Sequence, residues 1–435
     1  MKQKILATLV VLVASLGMLF ATGAKEQQEK GTVSSKAKQI TFTVINGGDT
    51  EIEAFNKIIA KFEEINPNIK VRLEALPNST DYENIIKTRF ATNDPPDAFW
   101  FWSGANQYTN MRASENLVDM TGERGLSDLT SAIKTYQTVD GKIYGIPWGT
   151  YNAMGIYYNK KVFAKLGLTP PKNYHELLDI AQTIKDAGII PFYEAGDTVW
   201  PTQIYTLCAF QSSIIPSIGG ASGLKKIVEN QIQLKDIPAV KDTFSKYYAL
   251  KTKGYLNEDV GSATYDMQEE AISSGKAAMV FQADWMLPDI QSKFGNADDL
   301  GYFPLPSETD EGVASLYPPK QIFVSKASKN VDAVLTFVRF MIQTDNLDIW
   351  YGLNSGIPVY KSVTSTLYTA QKDIMNYLTS DKGMVQIQLQ TKASFPDFDK
   401  ICQMVILSGN VDQAVTMLND GYLKDGRNKQ ISEFL

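Results

Sequence analysis

The chain is nearly devoid of the residues that most catalytic and metal chemistry uses. Among 435 residues there is one histidine, His175, and only two cysteines, Cys208 and Cys402, far apart in sequence. Such a set leaves no zinc cluster, which takes three or four closely placed Cys, His or carboxylate ligands. His175 falls at the opening of a predicted helix, where it reads as a surface residue and not as a catalytic base. Neither a G-x-S-x-G nucleophile elbow nor a G-x-x-x-x-G-K-[ST] phosphate loop occurs. Clusters of Lys and Arg are also missing, and a net charge of −6 with a pI near 5.2 excludes nucleic acid as the expected partner. No repeat of fixed period is present, which argues against a solenoid or propeller.

What is present begins with an export segment. Lys2 and Lys4 precede an apolar run from Ile5 to Phe20, followed by the small residues Ala21, Thr22, Gly23 and Ala24. That is the three-part layout of a secretory signal over residues 1–24, cleaved after Gly23 or Ala24. A retained anchor is the alternative, although the run is shorter than the ~20 residues a membrane-spanning helix normally needs. Residues 25–38 carry one valine among charged and small side chains and read as a flexible leader. Export would permit Cys208 and Cys402 to pair; two buried thiols are the other reading.

With 44% hydrophobic and 21% charged residues the remainder is an ordinary packed chain, too long for one core, so two lobes are expected. Ile40 to Ile45 reads as a strand ended by the turn Asn46-Gly47-Gly48. A helix follows, with Thr50 and Glu53 spaced as a capping box and Ile52, Phe55, Ile59 and Phe62 at helical intervals up to Asn66-Pro67. A second strand (IKVRLEAL), a helix bearing Ile85, Ile86 and Phe90, and a third strand from Ala98 to Trp102 complete a β-α-β-α-β series. The order implies an α/β fold with open, mostly parallel sheets flanked by helices, and ligands at the carboxyl ends of strands. Further on, Tyr174 to Lys185 and Val331 to Ile342 are predicted helices, while KAAMVF and QIFVS are predicted strands. The Gly-, Pro- and Ser-rich run GYFPLPSETDEGVASLYPPK is expected to return the chain from the second lobe to the first.

The segment from Asp140 to Pro171, DGKIYGIPWGTYNAMGIYYNKKVFAKLGLTPP, is rich in aromatic and amide side chains. Together with FEEINPNIKVRLEAL, PPDAFWFW, NLVDMT, GKAAMVFQADW and VSKASKNVDAVLTFVRFM, in that order, it resembles the sugar-binding receptors of bacterial ABC importers, the extracellular solute-binding protein family 1 that includes maltodextrin-binding proteins. The resemblance implies a two-lobed periplasmic binding protein fold with several crossings, near 148–152, 310–316 and 355–360. It places residues 39–150 and 314–356 in the N-terminal lobe, and 151–313 and 357–435 in the C-terminal lobe. It further implies a monomer with no cofactor, a carbohydrate ligand, and the membrane permease subunits of an importer as partners. Lipid-anchored members carry a cysteine after the apolar run; here alanine and glycine stand there, so a soluble periplasmic protein is expected.

A sugar presents flat C–H faces edged by hydroxyls, and is held by aromatic plates and by carboxylates and amides. By position, Trp102, Trp200 and Trp285 are the expected plates; Asp49, Asn152, Glu194 and Asp284 are the expected edge groups; Tyr151 and Tyr317 offer a ring and a hydroxyl. Asn152 falls where maltodextrin binders place a carboxylate, Glu194 where they have a glutamate, Trp200-Pro201 where they have the same dipeptide, and Trp285 on a stacking tryptophan. The charged residues those proteins carry after strand three are replaced by Ser103, Gly104 and Ala105, which speaks against a linear glucan. Each choice has a structural alternative: Asp49 as a helix-capping residue, a core role for Trp100 or Trp102, a surface ion pair for Glu194, and a brace against the adjoining prolines for Tyr317. Two other functions stay open, the same fold binding a polyamine or another small polar solute, and an exported hydrolase using two carboxylates.

Overall fold

A computed structural model describes residues 37–77, 79–129, 141–378 and 382–435. The expected signal and nearly all of the leader lie outside the described residues. The leader's last residue does not continue it, because Lys38 already begins the first strand.

The N-terminal half follows its pattern closely. Strand β1 (Lys38–Ile45) pairs in parallel with β2 (Ile69–Leu76), in register from Lys38 opposite Ile69 to Ile45 opposite Leu76. Between them helix α1 (Asp49–Ile65) buries Ala54, Phe55, Ile58, Ile59 and Phe62, one apolar stripe of a 3.6-residue period. Phe55 and Phe337 meet Phe42 of β1 edge to face, with centroids 5.3 and 5.6 Å away. The expected capping box does not form. Gly48 is the N-cap, without a side-chain cap bond, and the Thr50 hydroxyl donates instead to Asn354 Oδ1 at 2.9 Å, because that neighbour is brought alongside by the fold.

Strand β3 (Ala98–Phe101) lies beside β1, and β10 (Gln321–Val324) runs antiparallel between β3 and β4 (Gly145–Pro147), so the first sheet has the order β2-β1-β3-β10-β4. The second sheet is built on the long β5 (Thr150–Asn159). Against it run β7 (Ala277–Ala283), β8 (Leu300–Phe303), β9 (Ala314–Tyr317) and β11 (Ile357–Pro358), all antiparallel, while β6 (Ile190–Phe192) and β12 (Gly383–Val385) join in parallel at the flanks. Both sheets are therefore mixed. Apolar alternation marks a strand but carries no information on its direction. The Gly- and Pro-rich run expected to be a bare return contains two strands of the second sheet, β8 and β9. The chain passes from the second sheet to the first just after them, at residues 318–320, slightly beyond the expected 310–316.

The first crossing, from β4 to β5 at residues 148–149, is tied to this second one at residues 318–320. Three consecutive carbonyls of the first crossing each accept from a ring donor: Pro147 from the Tyr360 hydroxyl at 2.7 Å, Trp148 from the Trp100 indole at 3.0 Å, and Gly149 from the Tyr351 hydroxyl at 2.7 Å. Trp148 N–H donates to the Lys320 carbonyl of the second crossing at 2.9 Å. Gly149 has φ 108°, a left-handed value that side chains with a Cβ rarely adopt, so glycine is required where the chain turns between sheets. Cys208 and Cys402 are both buried free thiols, so the disulfide does not form.

Candidate functional site

A cavity of about 620 Å³ opens between the two sheets and draws its walls from both. On the first-sheet side it is reached by the start of α1 and by Trp102, which follows β3; on the other side stand Asn152 of β5 and the pair Asp284-Trp285, which follows β7. Its size suits a ligand of a few rings.

Five aromatic rings run across this cavity. Trp200 lies 5.2 Å from Tyr265 and 5.9 Å from Trp285, and Trp285 meets Tyr317 edge to face at 5.9 Å. Tyr317 is in turn hydrogen-bonded to the side chain of Trp102. All five are half-buried or rim the cavity, leaving ring area for a ligand. Trp285 is held in orientation by its indole N–H, which donates to Gln282 Oε1 at 2.9 Å, and Gln282 is fixed by Gln268 at 3.1 Å. Trp200 is placed by a strained turn. Val199 has φ 67° and ψ −64°, and Trp200 N–H donates back to the Thr198 carbonyl at 2.9 Å, a three-residue γ-turn of the rare positive-φ kind. The Thr202 hydroxyl on the Val199 carbonyl (2.7 Å) and Tyr265 N–H on the Thr198 hydroxyl (2.8 Å) lock it. A β-branched residue in that conformation beside a cavity is a site feature that propensity and periodicity do not signal.

Among the polar groups, Asp284 is buried at the cavity wall. Its carboxylate accepts from Ala153 N–H at 2.9 Å and from Gln371 at 3.2 Å, yet burial pushes its pKa up to about 7. Asn152 lines the cavity while bonding the Thr150 carbonyl at 3.0 Å. Thus Trp102, Asn152, Trp200, Asp284, Trp285 and Tyr317 are gathered around one space. Three other expected site residues are not. Asp49 is exposed and outside the lining, although its neighbours Gly48 and Thr50 line the cavity and its charge acts on Asp289, which also does. Tyr151 is buried on the opposite face of β5 from Asn152, as the alternation of a strand dictates. Glu194 sits wholly in the second core, where its carboxylate accepts from Ala195 N–H at 3.2 Å and the Tyr247 hydroxyl at 3.0 Å, and burial raises its pKa to about 7. Both strand-three tryptophans reach the cavity, Trp100 from within the core and Trp102 half-buried at its wall.

Sequence reasoning passed over the groups at the first-sheet end: Glu51, Lys320, Trp148, Trp350 and Asn354. Glu51 lies two residues along α1 from Asp49, so its helical offset was the one available signal. Lys320 lies in an irregular crossing with no period to mark it. Burial raises the Glu51 pKa and lowers that of Lys320, the attraction between the two partly opposing each shift. Among the described residues no group of three His, Cys, Asp or Glu side chains is placed to hold a metal ion.

The model of bacterial extracellular solute-binding proteins matches residues 48–347. The chain belongs to this family. Among curated relatives of this solute-binding protein is the multiple sugar-binding protein of Streptococcus mutans, 25% identical over 356 residues, which span 81% of this chain and 82% of the relative. Among solved structures, RafE in complex with raffinose superposes with a TM-score of 0.76 at 22% identity, covering 88% of this chain and 98% of that one. A chitin oligosaccharide binding protein does so with a TM-score of 0.78 at 22% identity, over 90% and 100% of the two chains. At that identity these likenesses establish the two-lobed fold and nothing finer.

Proposed function

We propose that this protein is an exported receptor that captures a sugar or short oligosaccharide in the cleft between its lobes and delivers it to the permease subunits of an ABC importer. The observation that carries the reading is the file of five rings, Tyr265, Trp200, Trp285, Tyr317 and Trp102, crossing a cavity edged by Asp284, Asn152 and Glu51. Rings cover the C–H faces of a sugar, and carboxylates and amides bond its edges. The raffinose and chitin-oligosaccharide binders of like fold, and the sugar-binding relative of Streptococcus mutans, support the same class.

The lobes in this reading are residues 38–149 with 318–356, and 150–317 with 357–435, each built on one sheet. A ligand stacked on Trp200 and Trp285 of one lobe gains contacts to Trp102 and Glu51 of the other only when the cleft is closed. Binding therefore shifts an open–closed equilibrium toward the closed form, tenfold for every ~1.4 kcal/mol of preference. The mature protein is read as a soluble periplasmic monomer, released by cleavage of the signal.

A thermal-shift panel on the purified protein tests the reading, using raffinose, stachyose, xylotriose, chitotriose, maltotriose, spermidine, amino acids and phosphate esters. Binding to the folded state alone stabilises by ~2.7 kcal/mol at a hundredfold excess over the dissociation constant. A shift with a saccharide that is recovered unchanged after hours supports the receptor. A shift with spermidine alone replaces the ligand class, and consumption of the saccharide replaces the receptor with a hydrolase.

A further inference from the structure

The polar groups around the cavity are not equally engaged. At the second-sheet side Asp284 is occupied by Ala153 and Gln371, Asn152 by Thr150, and the Trp285 indole by Gln282. At the first-sheet end the opposite holds. Glu51 Oε2, Trp148 Nε1 and Trp350 Nε1 are all shut off from bulk solvent and have no hydrogen-bond partner among the described residues, and each belongs to a residue lining the cavity. The Trp148 and Trp350 rings are 5.4 Å apart, and Trp350 is 5.6 Å from Trp100, so these indoles form one cluster. Over the Trp100 ring, 4.2 Å from its centroid, sits the Lys320 ammonium, and no ion pair with a described residue engages it.

One carboxylate acceptor and two indole donors are thus left without a partner at one end of the space, beside an ammonium that, among the described residues, only the Trp100 ring engages. The backbone beside them is shaped for the acceptor. A Cβ on Gly47 would collide with Glu51 Oε2, so glycine is what lets the carboxylate fold back against the turn. Across the turn Asp289 also lines the cavity and repels Glu51, so the Lys320 ammonium faces carboxylates from both sides of the space.

We propose that Glu51 and Lys320 are the specificity-determining pair of the cleft, reading two adjacent hydroxyls of a neutral terminal sugar unit and excluding sugars that carry a charge. One hydroxyl donates to Glu51 Oε2; that hydroxyl and its neighbour accept from Lys320 Nζ and the two indole N–H groups. A carboxylate or phosphate on the sugar would face Glu51 and an ammonium would face Lys320, each an unpaired like charge in a confined space. The assignment rests on the sugar reading above.

Isothermal titration of the wild type, Glu51→Gln and Lys320→Gln tests it, with raffinose, xylotriose and chitotriose as neutral probes and glucuronic acid and glucosamine as charged ones. The expected result is that the wild type binds a neutral probe, that each variant binds that probe at least tenfold more weakly, and that Glu51→Gln, with one carboxylate fewer near the Lys320 ammonium, gains for glucuronic acid relative to the neutral probe. Gly47→Ala, which keeps both charges and displaces only the carboxylate, is expected to weaken the neutral probe similarly and answers the case in which a charge variant fails to fold. Wild-type affinity for the neutral probe in the folded variants overturns the pair while leaving the sugar reading intact. A wild type that binds none of the saccharides removes the sugar reading, and the pair with it.

Discussion

The Trp285 indole N–H donates to the Gln282 side-chain carbonyl at 2.9 Å, across the end of β7, and this bond sets the plane of the ring that stands midway along the aromatic file. The ring is half-buried, so one side is open to the cavity and only part of it contributes packing.

Truncation of that ring, Trp285→Ala, is expected to weaken the saccharide that binds the wild type at least tenfold, about 1.4 kcal/mol, by calorimetry. Stability is expected to fall by about 1–2 kcal/mol in urea, less than a fully buried aromatic would cost. An unchanged dissociation constant would remove Trp285 from the site.

Val199 supplies a second test. Replacement by glycine relieves a conformation that costs a β-branched residue about 1–3 kcal/mol, against the ~0.5–1 kcal/mol by which glycine's freedom favours the unfolded chain. Val199→Gly is therefore expected to unfold at the same or higher urea concentration than the wild type while binding ligand more weakly, because Trp200 loses its fixed placement. Lower stability with intact affinity would contradict the strain argument.

Gly104 has φ 117°, and a Cβ there would lie 2.9 Å from the Cα of Leu389, on a helix (Ile387–Gln390) that packs against the helix Ala105–Asn110 across the cleft. Gly104→Ala is expected to cost about 1–3 kcal/mol of stability and to expand the protein in small-angle scattering with ligand present, since the two helices can no longer approach. Unchanged dimensions and stability would show that this contact is dispensable.

Glu194 and Asp284 make stability fall as pH rises. Each has a folded pKa of about 7, above its ordinary 4.5 or 3.8, so between those values the folded state holds a proton that the unfolded state has released. Their contribution is fully present only below the ordinary values of 4.5 and 3.8, and is lost as pH rises from there through 7. Carboxylates held low, such as Asp119 at about 2 through its Thr121 and Lys142 partners, act in the opposite sense but only toward more acidic pH. Glu194→Gln is expected to reduce the difference in unfolding free energy between pH 5 and pH 8 by about 2–3 kcal/mol. Identical pH slopes in variant and wild type would refute the burial argument.

The element order was legible because its signals are local. The periods of α1, of the helix Val331–Met341 and of strands β1, β2 and β3 are properties of neighbouring residues, and the boundaries fell within a few positions. The site was legible where a residue directly follows a strand, as with Trp102 and the pair Asp284-Trp285, since strand ends deliver side chains to the cleft. It was not legible where the same chemistry meets a different environment. Glu194 and Asp284 are both acidic, both lie near strand ends and both titrate near 7, yet one is sealed in a core against Tyr247 and the other walls the cavity.

By itself the sequence determined the family, the α/β element order and the aromatic and amide stock from which a binding site can be made, because pattern and composition are carried along the chain. Tertiary structure alone decided which of those groups face the cleft and which are left unengaged. Glu51 and Lys320 come from a helix start and a distant crossing, and their meeting at one cavity, with the Lys320 ammonium over Trp100, exists only after two mixed sheets have packed and the crossings at Trp148 and Lys320 have been tied to each other. Burial and hydrogen-bond satisfaction depend on every neighbour in space, and no local period encodes them.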